Sequence, residues 1–204
     1  MFTDSKNSPK RKSRMRGFSV LELMVVVTVI MVVSAVALPS FMRAYRTYQL
    51  DDAANQVAGV LKFTRYEAIR LNVTAAAPLA ARTLVTAAGT NVYTDSNNDG
   101  ALQITENQIL FSRNVTLVAA GTPPGGLAAA VGVAALTNIP VTTGVIAFDQ
   151  RGAVVPAAVN VLYIGNTSLP NLGNRAVVVL PSGSIQTWTT DVSADIVGNW
   201  RQLN

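Results

Sequence analysis

The stretch GFSVLELMVVVTVIMVVSAVALPS, from Gly17 to Ser40, is the starting point for interpreting the rest of the chain. Ser19 to Leu38 are twenty residues in which Glu22 is the only charged side chain. At ~1.5 Å of rise per residue, a helix of this length reaches about 30 Å, the thickness of a hydrocarbon core. We therefore predict a helix that can span the membrane. Its simplest interpretations are a secretory signal peptide or a plain single-pass anchor.

The positive charge of the chain is concentrated before this stretch. The formal net charge is +5, yet the residues from Phe18 onward contain ten Lys or Arg and ten Asp or Glu. The basic residues before Gly17, opposed by Asp4 alone, are Lys6, Lys10, Arg11, Lys12, Arg14 and Arg16. By the positive-inside rule, this asymmetry places the leader, residues 1–17, in the cytoplasm and the rest of the chain across the membrane.

The chain contains no Cys and no His among its 204 residues. Disulfides and thiolate metal sites are therefore excluded, and so are the catalytic arrangements that use histidine as a base or a metal ligand. The composition predicts a protein that is not an enzyme.

Glu22 is unexpected in a membrane span, because a carboxylate there costs about 2.5–3.5 kcal/mol and requires a partner. Its surroundings are distinctive. Gly17 and Phe18 form an abrupt junction between basic and apolar residues, Glu22 follows as the fifth residue from Phe18, and Pro39 lies just beyond the apolar run. Together these features resemble the class III signal of type IV prepilins and type II secretion pseudopilins.

The resemblance implies a role for each of these residues. A prepilin peptidase would cut after Gly17 and methylate the new amino terminus at Phe18. The characteristic Glu of the superfamily corresponds to Glu22, and its helix-curving Pro corresponds to Pro39. We expect Glu22 to pair, inside a filament, with the amino group of Phe18 in a neighbouring subunit. The implied partners are the peptidase, the inner membrane and other pilins or pseudopilins, which would pack through this helix.

Helical periodicity continues beyond Pro39, which is expected to bend the helix and not to end it. One apolar stripe with spacings of three, four or seven residues is formed by Leu50, Ala54, Val57, Leu61, Ala68 and Leu71. The pattern predicts one long helix over residues 18–72, with its transmembrane part at 19–38. The stretch Arg65–Arg70 resembles the GspH/FimT branch of the superfamily, although Glu67 and Arg70 also predict a plain i,i+3 ion pair.

The remainder, residues 73–204, is predicted to form a globular β-rich head. The predicted strands are Thr83–Ala87, Asn91–Thr94, Gln108–Ala119, Gly144–Asp149, Ala153–Val155, Val159–Ile164, Arg175–Leu180 and Ile185–Thr189. Hairpin turns are predicted at Asp149–Gly152 and Pro181–Ser184, and both hairpins resemble the GspH/FimT branch. The predicted fold class is α+β and pilin-like, a long amino-terminal helix packed on antiparallel β-sheet. The low-complexity segments Gly121–Gly126 and Leu127–Leu136 are expected to form an exposed loop without chemistry.

The stretch DSNNDGALQITE, from Asp95 to Glu106, has the residue spacing of a Ca²⁺-binding loop. Alternate oxygens can converge there, Gly100 permits a sharp turn and the distal Glu can close the site. The predicted ligands are Asp95, Asn97, Asp99, Ala101 and Glu106. Extended segments flank the loop, so an EF-hand is not implied, and an Asn/Asp/Gly-rich turn without metal is the alternative.

The carboxyl-terminal tail offers one candidate contact to nucleic acid. Some FimT-type minor pilins are DNA receptors with a Gly-Arg-x-Arg pattern in this region, whereas this chain has Arg201 alone, next to Trp200. A single Arg on a neutral body predicts weak, salt-sensitive binding at most. The alternative is that Trp200 packs against the head or faces a partner.

The resemblance as a whole implies a minor pilin or pseudopilin of GspH/FimT type that joins the tip or initiation complex of a type IV pilus. The expected location is the inner membrane, in a single pass with a cytoplasmic amino terminus and a periplasmic head, and afterwards the pilus or pseudopilus. Two alternatives stay open, because all three use the same leader, helix and sheet. One is a GspH-like pseudopilin of a type II secretion system, and the other is a FimT-like DNA-binding minor pilin for DNA uptake.

Overall fold

The structure is a computed structural model that describes residues 18–74, 81–86, 89–119, 123, 125–190 and 199–203. The chain divides into two compact units, Met1–Met42 and Arg43–Asn204. The predicted leader, residues 1–17, and its last residue Gly17 lie outside the described residues.

The long helix predicted from the sequence is confirmed as α1, Val20–Arg70, and it continues through Pro39. In the first unit its apolar side chains are exposed, as with Val25 at 57% and Met31 at 67%. By length and composition this helix could cross a membrane, and none of its apolar stretch is buried.

In the second unit the same helix buries one face against β-sheet. The predicted stripe is buried from Leu50 to Ala68, with Leu50, Val57 and Leu61 each at 0% exposure. Its last predicted member, Leu71, is 43% exposed and follows the end of the helix. These side chains share one apolar cluster with residues of both sheets, such as Phe148 and Val177. Burying one Val or Leu side chain contributes roughly 1.5–3 kcal/mol, so this face stabilises the head.

The first sheet has five strands in the order β3-β2-β1-β6-β7, all antiparallel. Its strands are β1 Arg82–Val85, β2 Asn91–Asp95, β3 Gln108–Leu110, β6 Val145–Phe148 and β7 Val154–Val155. The second sheet has the order β11-β10-β9-β8-β4, with β5 pairing parallel to β8. Its strands are β4 Val115–Val118, β5 Thr137–Asn138, β8 Asn160–Asn166, β9 Asn174–Val179, β10 Ile185–Thr190 and β11 Arg201–Gln202. The α+β architecture of helix on largely antiparallel sheet agrees with the prediction.

The single strand predicted over Gln108–Ala119 is wrong, because this segment contains two strands of different sheets. The chain turns between β3 and β4, where the amide of Val115 donates to the carbonyl of Ser112 at 2.8 Å. β3 then pairs with β2 in the first sheet, and β4 pairs with β8 in the second.

The exposed loop predicted over Gly121–Leu136 is wrong at Leu127–Val131. Residues Leu127–Val131 form a short helix, α2, and Leu127 is only 2% exposed. Leu127 belongs to a second apolar cluster with Val161, Val178 and Trp200. Apolar area removed from water drives this packing, and a low-complexity composition does not prevent it.

Both predicted hairpin turns are present and meet the helix at one residue. The turn at Asp149–Gly152 joins β6 to β7, and the turn at Pro181–Ser184 joins β9 to β10. Arg65 of α1 donates from Nε to the carbonyl of Gly152 at 3.0 Å. The φ angles of Gly152 and Gly183, +75° and +78°, are accessible to glycine at little cost. A Cβ on Gly183 would collide with the Gly152 backbone.

Further polar contacts connect the helix to the sheets in the second unit. The hydroxyl of Thr64 lies 2.7 Å from that of Thr94 and accepts from that of Thr83 at 2.8 Å, all three being buried. The guanidinium of Arg175, which is 1% exposed, donates to Asp51 of α1 at 2.5 Å. The predicted pair of Glu67 and Arg70 is present as well, at 2.5 Å.

Candidate functional site

The amino-terminal end of α1 positions the residues that the sequence singles out for processing and assembly. Phe18 precedes the helix and is 79% exposed. The first turn is closed by the amide of Leu23, which donates to the carbonyl of Ser19 at 3.1 Å. Glu22 lies in this turn, where a carboxylate interacts favourably with the positive end of the helix dipole.

The surroundings of Glu22 are apolar and exposed. Its neighbours Leu21 and Leu23 are 74% and 59% exposed, and the apolar side chains that follow remain exposed as well. Such a surface is stable only when lipid or other apolar helices cover it, and the cover would also remove water from the carboxylate. A cationic partner brought in by the covering helix would compensate for that loss of hydration. The roles of Gly17, Phe18, Glu22 and Pro39 in processing and assembly stay predictions.

The predicted Ca²⁺ loop, Asp95–Glu106, is called the acidic loop below. It begins at the end of β2, where Asp95 is fully buried. Its carboxylate oxygen Oδ2 accepts from Nε of Arg82 at 2.9 Å and lies 2.9 Å from Nη2 of the same guanidinium. The amide of Gly100 donates to this oxygen as well, at 3.0 Å. The other oxygen, Oδ1, is buried and has no hydrogen-bond partner among the described residues. Register explains the contact, because Arg82 lies directly opposite Asp95 in the pairing of β1 with β2.

The two other carboxylates of the loop accept hydrogen bonds from within the loop. Asp99 accepts from the amide of Ala101 at 2.8 Å and from the side chains of Gln103 at 2.5 Å and Asn97 at 3.1 Å. The Ala101 amide is the main reason why the pKa of Asp99 lies below its usual range. Glu106 accepts from the amides of Ser96 and Gln103, at 3.2 and 3.0 Å. The loop is thereby closed on itself.

These contacts bear on the predicted calcium ligands Asp95, Asn97, Asp99, Ala101 and Glu106. Within the part of the chain that the structure describes, no group of three or more His, Cys, Asp or Glu side chains converges as a metal site would require. Ca²⁺ takes six to eight oxygen ligands, whereas the carboxylates of this loop already accept from N–H groups and a guanidinium. The arrangement as it stands matches an acidic turn and does not fit a bound calcium ion. Calcium binding itself stays a prediction.

The carboxyl-terminal tail returns to the head. Trp200 is 5% exposed, its Nε1 donates to the carbonyl of Gly125 at 3.2 Å, and its ring centroid lies 6.0 Å from that of Tyr163. The packed position expected as one alternative for Trp200 is therefore confirmed. Arg201 is exposed in β11, opposite Thr189 of β10. DNA binding through Arg201 stays a prediction.

The sequence did not identify the partners of two residues that matter to this architecture. Arg82 reaches Asp95 only through strand register, and Arg175 lies 124 positions after its partner Asp51. Arg82 belongs to no local motif. Arg175 begins the Arg-x-Val-Val-Val run of the second hairpin, which resembles the GspH/FimT branch but does not identify a partner.

Similarity to known proteins is found in the amino-terminal part of the sequence and in a solved structure. Residues 12–38 match the family described as the prokaryotic N-terminal methylation motif. No curated protein sequence matches significantly. Among solved structures, the chain is similar to the type IV minor pilin FimU of Pseudomonas aeruginosa strain PAO1, with 15% identity and a TM-score of 0.46. The alignment covers 68% of this chain and 87% of FimU.

Proposed function

We propose that this chain, whose amino-terminal motif supports membership of the type IV pilin superfamily, is a minor pilin or pseudopilin. It is cut between Gly17 and Phe18, and Phe18 becomes the N-methylated amino terminus. Before cleavage and assembly, the protein is anchored in the inner membrane with the leader in the cytoplasm and the head in the periplasm. It then joins the tip or initiation complex of a type IV pilus, where its work is assembly and not catalysis.

The observation that carries this proposal is the apolar half of α1. Its side chains are exposed along more than five turns, and it holds one carboxylate at its very start. A plain anchor explains the apolar surface but gives no reason for Glu22, since the membrane penalises a carboxylate. A subunit that moves from lipid into a bundle of identical or related helices explains both, because the bundle can supply a cation.

The amino group of Phe18 in a neighbouring subunit is the cation that this proposal requires. Cleavage after Gly17 creates a positive charge on an exposed residue, four positions before Glu22. A carboxylate and an ammonium that meet between packed apolar helices attract strongly, and breaking such a pair costs about 3–5 kcal/mol. The pair would fix the axial position of one helix against the next.

The test is a deletion of the gene, complemented with the wild-type chain, followed by a count of surface pili. We expect the deletion to remove most pili and the wild-type chain to restore them. The same cells are assayed for secreted proteins and for uptake of labelled DNA. Normal pili with lost secretion would contradict the pilus role and favour the type II pseudopilin, whereas normal pili with lost DNA uptake would favour a DNA receptor.

A further inference from the structure

The residue spacing of the acidic loop does not show which cation balances the negative charge of its carboxylates. Asp95, Asp99 and Glu106 place three carboxylates within twelve residues. Asp95 is fully buried, and a buried carboxylate is stable only when it is paired and hydrogen-bonded. In a calcium-binding loop, the metal ion satisfies this requirement.

The structure brings a protein cation to the same place. The side chain of Arg82 is 16% exposed, and both Nε and Nη2 lie 2.9 Å from Oδ2 of Asp95. The guanidinium also passes over the turn, since a Cβ on Gly100 would lie 3.4 Å from Nη2. Arg82 further contributes to lowering the pKa of Asp99, after the hydrogen bonds within the loop. The positive charge therefore acts on more than one carboxylate.

We propose that Arg82 is the resident cation of this loop, and that its guanidinium occupies the role that the residue spacing would otherwise give to Ca²⁺. The conformation of the loop is then independent of calcium. Arginine is a cation at physiological pH, and both Nε and Nη2 of Arg82 lie 2.9 Å from Oδ2 of Asp95. A divalent ion at Asp95 would have to displace this guanidinium or tolerate its repulsion.

The acidic loop carries exposed apolar side chains at its tip. Ile104 at its tip is 98% exposed and Leu102 is 40% exposed. The hydrogen bonds that Glu106 and Asp99 accept hold the backbone on both sides of these residues. With Arg82 as the cation, the loop keeps this apolar tip in place whether the surrounding medium contains calcium or a chelator.

The test uses the full-length chain purified in detergent, with thermal unfolding followed by tryptophan fluorescence. Trp188 and Trp200 are 9% and 5% exposed, so both report on the head. Melting temperatures are recorded in excess CaCl₂ and in excess EDTA for the wild type, Arg82→Lys, Arg82→Gln and the double variant Arg82→Gln with Asp95→Asn. Hydrogen exchange at the amides of Gly100 and Ala101 gives a local readout.

We expect the wild-type melting temperature and amide protection to be the same in calcium and in EDTA. Arg82→Gln leaves a buried carboxylate unpaired and should lower the melting temperature by roughly 6–15 °C, with faster exchange at Gly100. The double variant removes the unpaired carboxylate charge and should recover most of the lost melting temperature. The melting temperature of Arg82→Lys should lie between those of Arg82→Gln and the double variant.

Two outcomes would overturn the proposal. One is a wild-type protein that melts at a clearly higher temperature in calcium than in EDTA, which would make calcium the cation of the loop. The other is an Arg82→Gln protein as stable as the wild type. If Arg82→Gln does not fold, the wild-type comparison and the double variant still decide. None of these measurements depends on filament assembly.

Discussion

The two halves of α1 contain the same kinds of aliphatic residues in opposite environments. Val25, in the first unit, is 57% exposed, whereas Val57, in the second unit, is 0% exposed. The second half uses one apolar stripe and turns polar residues such as Asp52 outward, so the head can cover it. Apart from Glu22 and a few hydroxyl side chains, the first half is apolar on every side, and a helix of that kind depends on lipid or on other helices for cover. The second half of α1 therefore stabilises the head, whereas the first half is a surface for contact with lipid or other helices.

The strongest test of this difference is Glu22→Ala, with Asp52→Ala as the matched control in the other half of the same helix. Glu22→Ala should leave the Phe18 ammonium of the neighbouring subunit unpaired, at a cost of about 3–5 kcal/mol per contact. This corresponds to a loss of assembly by a factor of a hundred or more. Asp52 hydrogen-bonds only with Gln56 among the described residues, at 2.7 Å, so Asp52→Ala should assemble normally.

Filament yield after shearing, at matched levels of processed protein, measures the effect. An unchanged yield for Glu22→Ala would remove the ion pair from the account and reduce the first half of α1 to a plain anchor.

The next largest effect is expected when the buried guanidinium of Arg175 loses its charged partner Asp51. Asp51→Asn leaves the guanidinium of Arg175 buried without a charged partner, although Asp51 itself is 33% exposed in its side chain. The free energy of unfolding should fall by about 3 kcal/mol. Urea denaturation followed by tryptophan fluorescence would measure it, and Asp52→Asn is the control, expected to stay within ~0.5 kcal/mol of the wild type. Equal stability of the two variants would show that α1 needs no ionic contact with β9.

A pair of identical substitutions compares the two halves directly. Val57→Ala removes two methyl groups from the core and should lower the free energy of unfolding of the head by roughly 2 kcal/mol. Val25→Ala changes an exposed side chain and should leave that free energy within about 0.5 kcal/mol of the wild type. Urea titration of both variants in the same detergent would show it. A similar loss in both would mean that the first half also contributes to the core of the head.

The smallest effect is expected at Gly59, which lies on the exposed face of α1 in the second unit. Beyond the neighbouring backbone of its own helix, a Cβ at this position would meet no atom within 4 Å. Gly59→Ala should therefore stabilise the helix by about 0.5–1 kcal/mol, because alanine loses less backbone entropy than glycine. Gly183→Ala is the contrasting control and should destabilise, since its backbone has a φ of +78°. A raised melting point together with reduced assembly would show that a partner approaches the helix at Gly59.

Much of this fold follows from periodicity. The apolar run and the stripe from Leu50 to Ala68 predict α1, and the turn residues around Gly152 and Gly183 predict two hairpins. These signals are local, because helix period and turn chemistry depend on residues a few positions apart. The split of Gln108–Ala119 into β3 and β4 is not local, since each strand is defined by the partner with which it pairs.

The sites divide in the same way. Gly17, Phe18 and Glu22 lie within six residues of one another, so a local pattern is enough to predict them as a site, and their roles stay predictions. The spacing of the acidic loop is also local, but its cation comes from Arg82, thirteen residues before Asp95, through strand pairing. The packing of Leu127 against Trp200 was equally beyond a composition-based prediction, because it depends on the tail returning to the second sheet.

Cleavage after Gly17 would make the apolar half of α1 the free amino-terminal end of an assembling subunit. Intact-mass and amino-terminal sequencing of the protein extracted from membranes would test it most directly. We expect a chain that begins with N-methylated Phe18 and lacks residues 1–17. A chain that keeps its leader, or one cut elsewhere in the apolar run as a secretory signal would be, would contradict it.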